Sequence, residues 1–248
     1  MKSRLIAELL NASPAQIDDS AFITLDVDWA PDFVLEKVIT LVEDAGVRAT
    51  WFITHETPLL ERLRNNALFE VGIHPNFNLL LNGQVSPLGL SDFRQVIDYF
   101  CDLVPEAISM RSHSLVQAPM IFSHCLKRGI KIDSSSFVPA SSNPLELHLM
   151  SDFSGMKRAP FFWGDYAAIS TKEANKPERL LSRAALKIFN FHPIHLYFNS
   201  NTLAVYEHSK TLPKEEREYH PLINSSFGVR NHFDSLVNEL VNRTDNAD

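Results

Sequence analysis

The sequence has only two cysteines, Cys101 and Cys125, in 248 residues. They show no metal-site spacing and cannot build a disulfide framework, so they argue for a reducing compartment. There is no run of about 18 apolar residues, so no membrane span is expected. The first stretch, MKSRLIAELLNASPAQIDDS, starts basic, but its apolar part is short and broken by Glu8; it is too weak for a signal peptide. Cations are in deficit: 23 Lys and Arg against 30 Asp and Glu give a net charge of −7 and a pI of about 5.8. A nucleic-acid partner held through backbone charge is therefore not expected. No Gly or Ser run, long charged tail or internal repeat marks a linker or an array. With 45% hydrophobic residues, there is ample material for one core. The expectation is a soluble, cytoplasmic protein folding as one domain over residues 1–248.

What is present is alternation. FITLDVDWAPD (22–32) reads as a buried strand ending before Pro31. APDFVLEKVITLVEDAG (30–46) reads as a helix, with Pro31 in its first turn and a stripe of Val34, Val38, Leu41, Val42 and Ala45 stopped by Gly46. VRATWFITH (47–55) reads as the next strand, completing a βαβ unit. Further strands are predicted at FEVGIH (69–74), AISMRS (107–112), IKIDSSSF (130–137) and KIFNFH (187–192). Helices are predicted over 57–66 with Thr57 as N-cap, 91–104 with Ser91 as N-cap, 119–129, 177–186 and 233–243. This order predicts an α/β protein with six or seven mostly parallel strands. Residues 76–90, 137–170 and 201–228 lack clear periodicity, and long loops in such folds are often functional.

The polar residues sit at one kind of place. Asp26 and Asp28 end the first strand, His74 the third, Arg111 the fourth and His192 the last. In a barrel or open α/β sheet these C-terminal strand ends converge on the face that hosts the active site. Alternation along a strand puts Asp26 and Asp28 on one side. Two like charges so close need a metal, an arginine or a shared proton. If a helix follows Pro75 in HPNFN, His74 and Asn78 share a face. Asp28, His74 and Asn78 then offer three ligands to a divalent ion and leave positions for water and substrate. His192 and His195 compete for one role, since on a strand they would face opposite ways. His113 and His55 are further rim candidates. Trp29, Phe162 and Trp163 suit either sugar stacking or core.

These motifs resemble the polysaccharide deacetylase superfamily, also called the NodB-homology family or carbohydrate esterase family four. LDVDW matches its aspartate motif, with the two acids one residue apart rather than adjacent. HPNFN matches its histidine motif, with Asn78 in place of the second His. MRSHS supplies its arginine, FFWGD echoes its Asp- and Trp-rich segment through Trp163 and Asp165, and FNFHP supplies its late histidine. The likeness runs over about residues 22–195. Together the motifs are similar to a branch associated with bacterial surface-polysaccharide biosynthesis.

The resemblance implies a deformed (β/α) barrel of about seven parallel strands and a hydrolase acting on the amide of an acetylated amino sugar. It implies catalytic roles for Asp26 as base, Arg111 as its orienting cation and His192 as acid. It implies a divalent metal, Zn2+ with Co2+, Mn2+ or Ni2+ as alternatives, on Asp28, His74 and Asn78. Two other readings stay open: a metal-dependent hydrolase of a non-sugar amide, and a non-catalytic carbohydrate-binding relative, which the Asn-for-His exchange favours.

Overall fold

A computed structural model of the chain describes residues 1–140, 146–171, 176–184 and 186–245. The expected alternation folds into one curled sheet. Its strands are β1 (Lys2–Arg4), β2 (Ser20–Asp26), β3 (Ala49–Ile53), β4 (Phe69–Ile73), β5 (Ser109–Met110), β6 (Ile132–Asp133), β7 (Met150–Ser151), β8 (Lys157–Arg158), β9 (Trp163–Gly164) and β10 (Ile188–Phe191). The order is β7-β8-β6-β5-β4-β3-β2-β10-β9, with β1 beside β2. Every described pair is parallel except β7 with β8. This is the deformed barrel expected. The six predicted strands are all present but shorter, and β7, β8 and β9 come from a stretch without periodicity.

β2 is buried along its whole length. Its Ile23 and Leu25 lie opposite Ala49 and Trp51 of β3 on one side and Phe189 and Phe191 of β10 on the other. The helix Asp32–Asp44 buries Val34, Leu35, Val38, Ile39 and Val42 against this sheet, and Gly46 follows it with φ +63°, a left-handed stop that glycine adopts without strain. The closing helix, Val229–Asp245, packs back over the chain's other end, where the Thr244 hydroxyl donates to the Met1 carbonyl.

Several local expectations are corrected. Thr57 does not cap a helix: that helix is Leu60–Arg64, and the Thr57 hydroxyl donates to Asp32 Oδ1 at 2.7 Å. The cap of Phe93–Leu103 is Asp92 rather than Ser91, its carboxylate accepting from the Arg94 N–H. The helix expected over 177–186 is only Pro177–Leu180, and Ala185 within that range lies outside the described residues, as do 141–145 within the expected loop. The stretch 201–228 is partly helical, with turns at Leu203–Ser209 and Glu216–Tyr219. Both cysteines are buried and unbridged, as small core residues, and burial pushes their thiols upward.

Candidate active site

Neighbouring strands β5, β4, β3, β2 and β10 run in the same direction, so their C-terminal ends form one rim. Asp26 is the last residue of β2, and His74, Arg111 and His192 directly follow β4, β5 and β10. Asp26, His74 and His192 line a cavity of about 440 Å3 there, in the usual size range of ligand sites, and Arg111 lies buried behind Asp26.

Asp28 reaches the rim by another route than the sequence suggests. The strand stops at Asp26, and Asp28 and Trp29 are left-handed, with φ of 44° and 54°. Such values are costly for non-glycine residues. The turn is held by the Ala30 N–H on the Val27 carbonyl and by the Trp29 N–H on Thr54 Oγ1 (3.1 Å). Asp28 therefore leaves the sheet but still points at His74, whose Nε2 is 3.2 Å from its Oδ1.

Asp26 is enclosed. Arg111 Nη1 donates to its Oδ1 at 2.9 Å and Asn190 Nδ2 to its Oδ2 at 2.8 Å. Arg111 itself is fully buried between the rings of Phe52 and Phe161, 4.8 and 4.5 Å from their centres. Its remaining donors go to Thr24 Oγ1, Asn190 Oδ1, Ser134 Oγ and the Ser134 carbonyl. Burial opposes the charge on Asp26, but Arg111, His74 and His192 outweigh it and hold the carboxyl below its ordinary value. Asn190 is the residue that sequence reading missed; a lone amide inside the apolar run IFNF was the available signal.

A second missed arrangement is the place of His113. Its Nδ1 donates to Asp28 Oδ1 at 2.9 Å, so that one oxygen lies between two imidazole nitrogens. Asp28, His74 and His113 each offer a ligand atom, all within 4.8 Å of one another. His113 is held by its N–H on the Pro75 carbonyl and by a turn in which Ser114 and Leu115 are left-handed. Asn78 is elsewhere. The helix expected after Pro75 begins only at Asn78, because Asn76 Oδ1 accepts the Asn78 N–H in a turn. His74 and Asn78 thus share no helix face, and the Asn78 amide donates to Ser114 Oγ at 2.9 Å.

Would the group hold a metal? One carboxylate and two imidazoles form a donor set that suits zinc. Among the described residues His74 Nδ1 is buried with no hydrogen-bond partner, which leaves that ring poorly satisfied by protein contacts alone. Burial opposes the charge on Asp28, but bonds from His113 and His74 hold its carboxyl well below the usual range. The residues fit the ion.

His192 faces both aspartates: its Nε2 is 3.8 Å from Asp26 Oδ2 and 3.6 Å from Asp28 Oδ2. Asp165, fully buried at the start of the helix Asp165–Thr171, accepts the His192 ring Nδ1–H at 2.6 Å and its backbone N–H at 2.7 Å. Burial disfavours the cation, yet Asp165, Asp28 and Asp26 raise its pKa to about 10. His195 is not on a strand, as the sequence reading assumed, but on the helix Pro193–Phe198. Three residues apart, both histidines line the same cavity. His55 is not among the lining residues. Trp163 and Phe162 are buried against the core ring of Phe189, whereas Trp29 is 39% exposed and meets the His113 ring edge-on.

A family model described as WbmS-like polysaccharide deacetylase matches residues 23–210. The chain belongs to this family. Membership implies a hydrolase acting on amide bonds. A family relative of known structure, from Bordetella bronchiseptica, is 36% identical over 96% of this chain and 97% of its own, with a TM-score of 0.87; it is described as a polysaccharide deacetylase involved in O-antigen biosynthesis. A Mycobacterium smegmatis protein described as a polysaccharide deacetylase is 13% identical over 90% of both chains, with a TM-score of 0.51, a likeness of fold. No curated protein matches the chain. Among the described residues, no helix is long and apolar enough to cross a membrane.

Proposed function

We propose that this member of the deacetylase family is a metal-dependent N-deacetylase of an acetamido sugar or polysaccharide intermediate, acting as one domain in the cytoplasm during surface-polysaccharide synthesis. The observation that carries it is the division of labour around one cavity. Asp26 is fixed by Arg111 and Asn190, His192 is fixed by Asp165, and a ligand group lies beside both of them. The O-antigen description of the Bordetella bronchiseptica relative supports the surface-polysaccharide part of the reading. The free, buried thiols support a reducing compartment.

Asp28, His74 and His113 would hold the ion, with His113 taking the place the sequence reading gave to Asn78. A zinc ion there, or Co2+, Mn2+ or Ni2+, would polarise the amide carbonyl and lower the pKa of a nearby water. Asp26, kept ionised and aimed by Arg111, takes the proton of the attacking water. The water oxygen bonds to the carbonyl carbon, and the carbon–nitrogen bond then breaks. His192, protonated and anchored by Asp165, gives its Nε2 proton to the departing nitrogen, which leaves as an amine while acetate remains. The Asn-for-His exchange at Asn78 favours a non-catalytic relative only if no second histidine is near, and His113 is.

The test is acetate release from a panel of N-acetylated amino sugars by zinc-loaded and chelator-stripped protein. Release that falls on stripping and returns with zinc is expected. No release from any member by the loaded protein, or release untouched by stripping, would contradict the reading.

A further inference from the structure

His192 and His195 stand side by side in the cavity wall, their ring centres 5.7 Å apart and nearly perpendicular. The spacing follows from local structure: β10 ends, Pro193 opens a short helix, and positions three apart fall on one side of it. The mechanism uses only the first.

The surroundings of the second differ in kind. His192 is tied to a buried carboxylate through both its ring and its backbone. His195 Nδ1 meets a neutral group, Ser200 Oγ, at 3.1 Å, and its Nε2 has no protein partner among the described residues. Burial pushes its pKa down to about 4. Between about pH 4 and 10 it is therefore uncharged while His192 is protonated, so it is not a second cationic acid. Nor does it belong to the Asp28, His74 and His113 group. Around it the wall is aromatic: Tyr206 lies 5.1 Å and Tyr166 6.4 Å away, ring centre to ring centre. A Lys210–Glu207 ion pair of 2.8 Å closes this side of the cavity.

A ring nitrogen left without a protein partner on a cavity wall is satisfied by whatever fills the cavity. A neutral imidazole offers either a donor or an acceptor there, according to which way the Ser200 hydroxyl points. A hydroxyl group answers both, and aromatic faces beside it suit the carbon face of a sugar. We propose that His195 is a substrate-binding residue, its Nε2 taking one ring hydroxyl of a sugar that enters the cavity lined by Asp26, Asp28 and His192. The inference rests on the deacetylase reading and deepens it: the enzyme selects an acetamido sugar bearing a free hydroxyl at the position facing His195.

The experiment compares wild type, His195→Leu and His195→Gln, all zinc-loaded, on an acetamido sugar and its monodeoxy analogues. For wild type, removal of one hydroxyl lowers kcat/KM by about tenfold or more, because a site built to bond a hydroxyl rejects its absence. His195→Leu raises KM by a similar factor with kcat within about threefold, and becomes indifferent to that same deoxy position. His195→Gln regains part of the discrimination. Zinc titration and thermal unfolding of the variants stay close to wild type. A His195→Leu enzyme that discriminates among the analogues as wild type does overturns the proposal, as does a fall in kcat with KM unchanged. Should His195→Leu fail to fold, His195→Gln decides: discrimination equal to wild type in every position counts against the proposal, and reduced discrimination at one position supports it. Failure of wild type to release acetate from any sugar removes the deacetylase reading itself, a different result from either.

Discussion

Asp26 and Asp28 lie two positions apart in the chain and in two different kinds of backbone. Asp26 ends a fully buried strand, and both its oxygens accept hydrogen bonds from fixed neutral or cationic donors. Asp28 sits in a left-handed turn, and one of its oxygens lies between two imidazoles. The first arrangement holds a charge rigidly and leaves it able to take a proton; the second collects ligands. Two chemically identical groups thus acquire separate tasks from surroundings alone, as paired carboxylates do in other hydrolytic sites.

Changes to the two residues should break this comparison in opposite ways. The largest effect is expected at the base. Asp26→Asn should lower turnover by roughly 10²–10⁴-fold, the usual worth of a positioned acid or base. Steady-state acetate release would measure it, and a loss of less than about tenfold would leave Asp26 without that role.

Next comes the histidine that faces both aspartates. In metal-free protein the folded pKa of His192, about 10, lies above its ordinary 6.5. Its pairing therefore stabilises the fold fully below about pH 6.5 and loses that contribution as the pH rises through about 10. Asp165→Asn removes the nearest carboxylate, so the His192 titration followed by NMR should move down toward 6.5. The same substitution should narrow the pH range of activity from its basic side. An unmoved titration would show that Asp165 is not the anchor.

A smaller effect tests packing around the site. A Cβ at Gly72, in β4 just before His74, would lie 2.7 Å from Ser109 Oγ and 2.8 Å from the Phe52 ring that stacks on Arg111. Gly72→Ala should cost about 1–3 kcal/mol in denaturant unfolding, the ordinary penalty of overpacking. The smallest effect is expected at Asn78. Asn78→Ala should leave zinc affinity within about threefold, because its amide serves Ser114 rather than the ligand group. A large loss of affinity would return Asn78 to the ion.

Much of this was legible in the sequence, for a definite reason. Parallel strands end together, so polar residues at the ends of apolar runs mark the site without any knowledge of side-chain contacts. Asp26, His74, Arg111 and His192 were found that way. Residues off the strands were less legible. His113 lies in a turn whose left-handed backbone no periodicity announces, and the helix that would pair Asn78 with His74 starts two residues later than expected. Asp165 is visible within FFWGD, but its bond to His192 depends on pairing between β9 and β10, which no local pattern announces. Strand alternation does not govern His195, because the strand ends at Phe191 and a helix follows.

The central claim is that the two aspartates divide base and ligand between them. Its most direct test is calorimetric titration of zinc into metal-stripped wild type, Asp26→Asn and Asp28→Asn. The account predicts one site in wild type and in Asp26→Asn with affinities within about tenfold, and a loss greater than about 100-fold in Asp28→Asn, beyond the cost of removing a residue that only supports a ligand. Wild-type affinity in Asp28→Asn, or loss of zinc in Asp26→Asn alone, would contradict it.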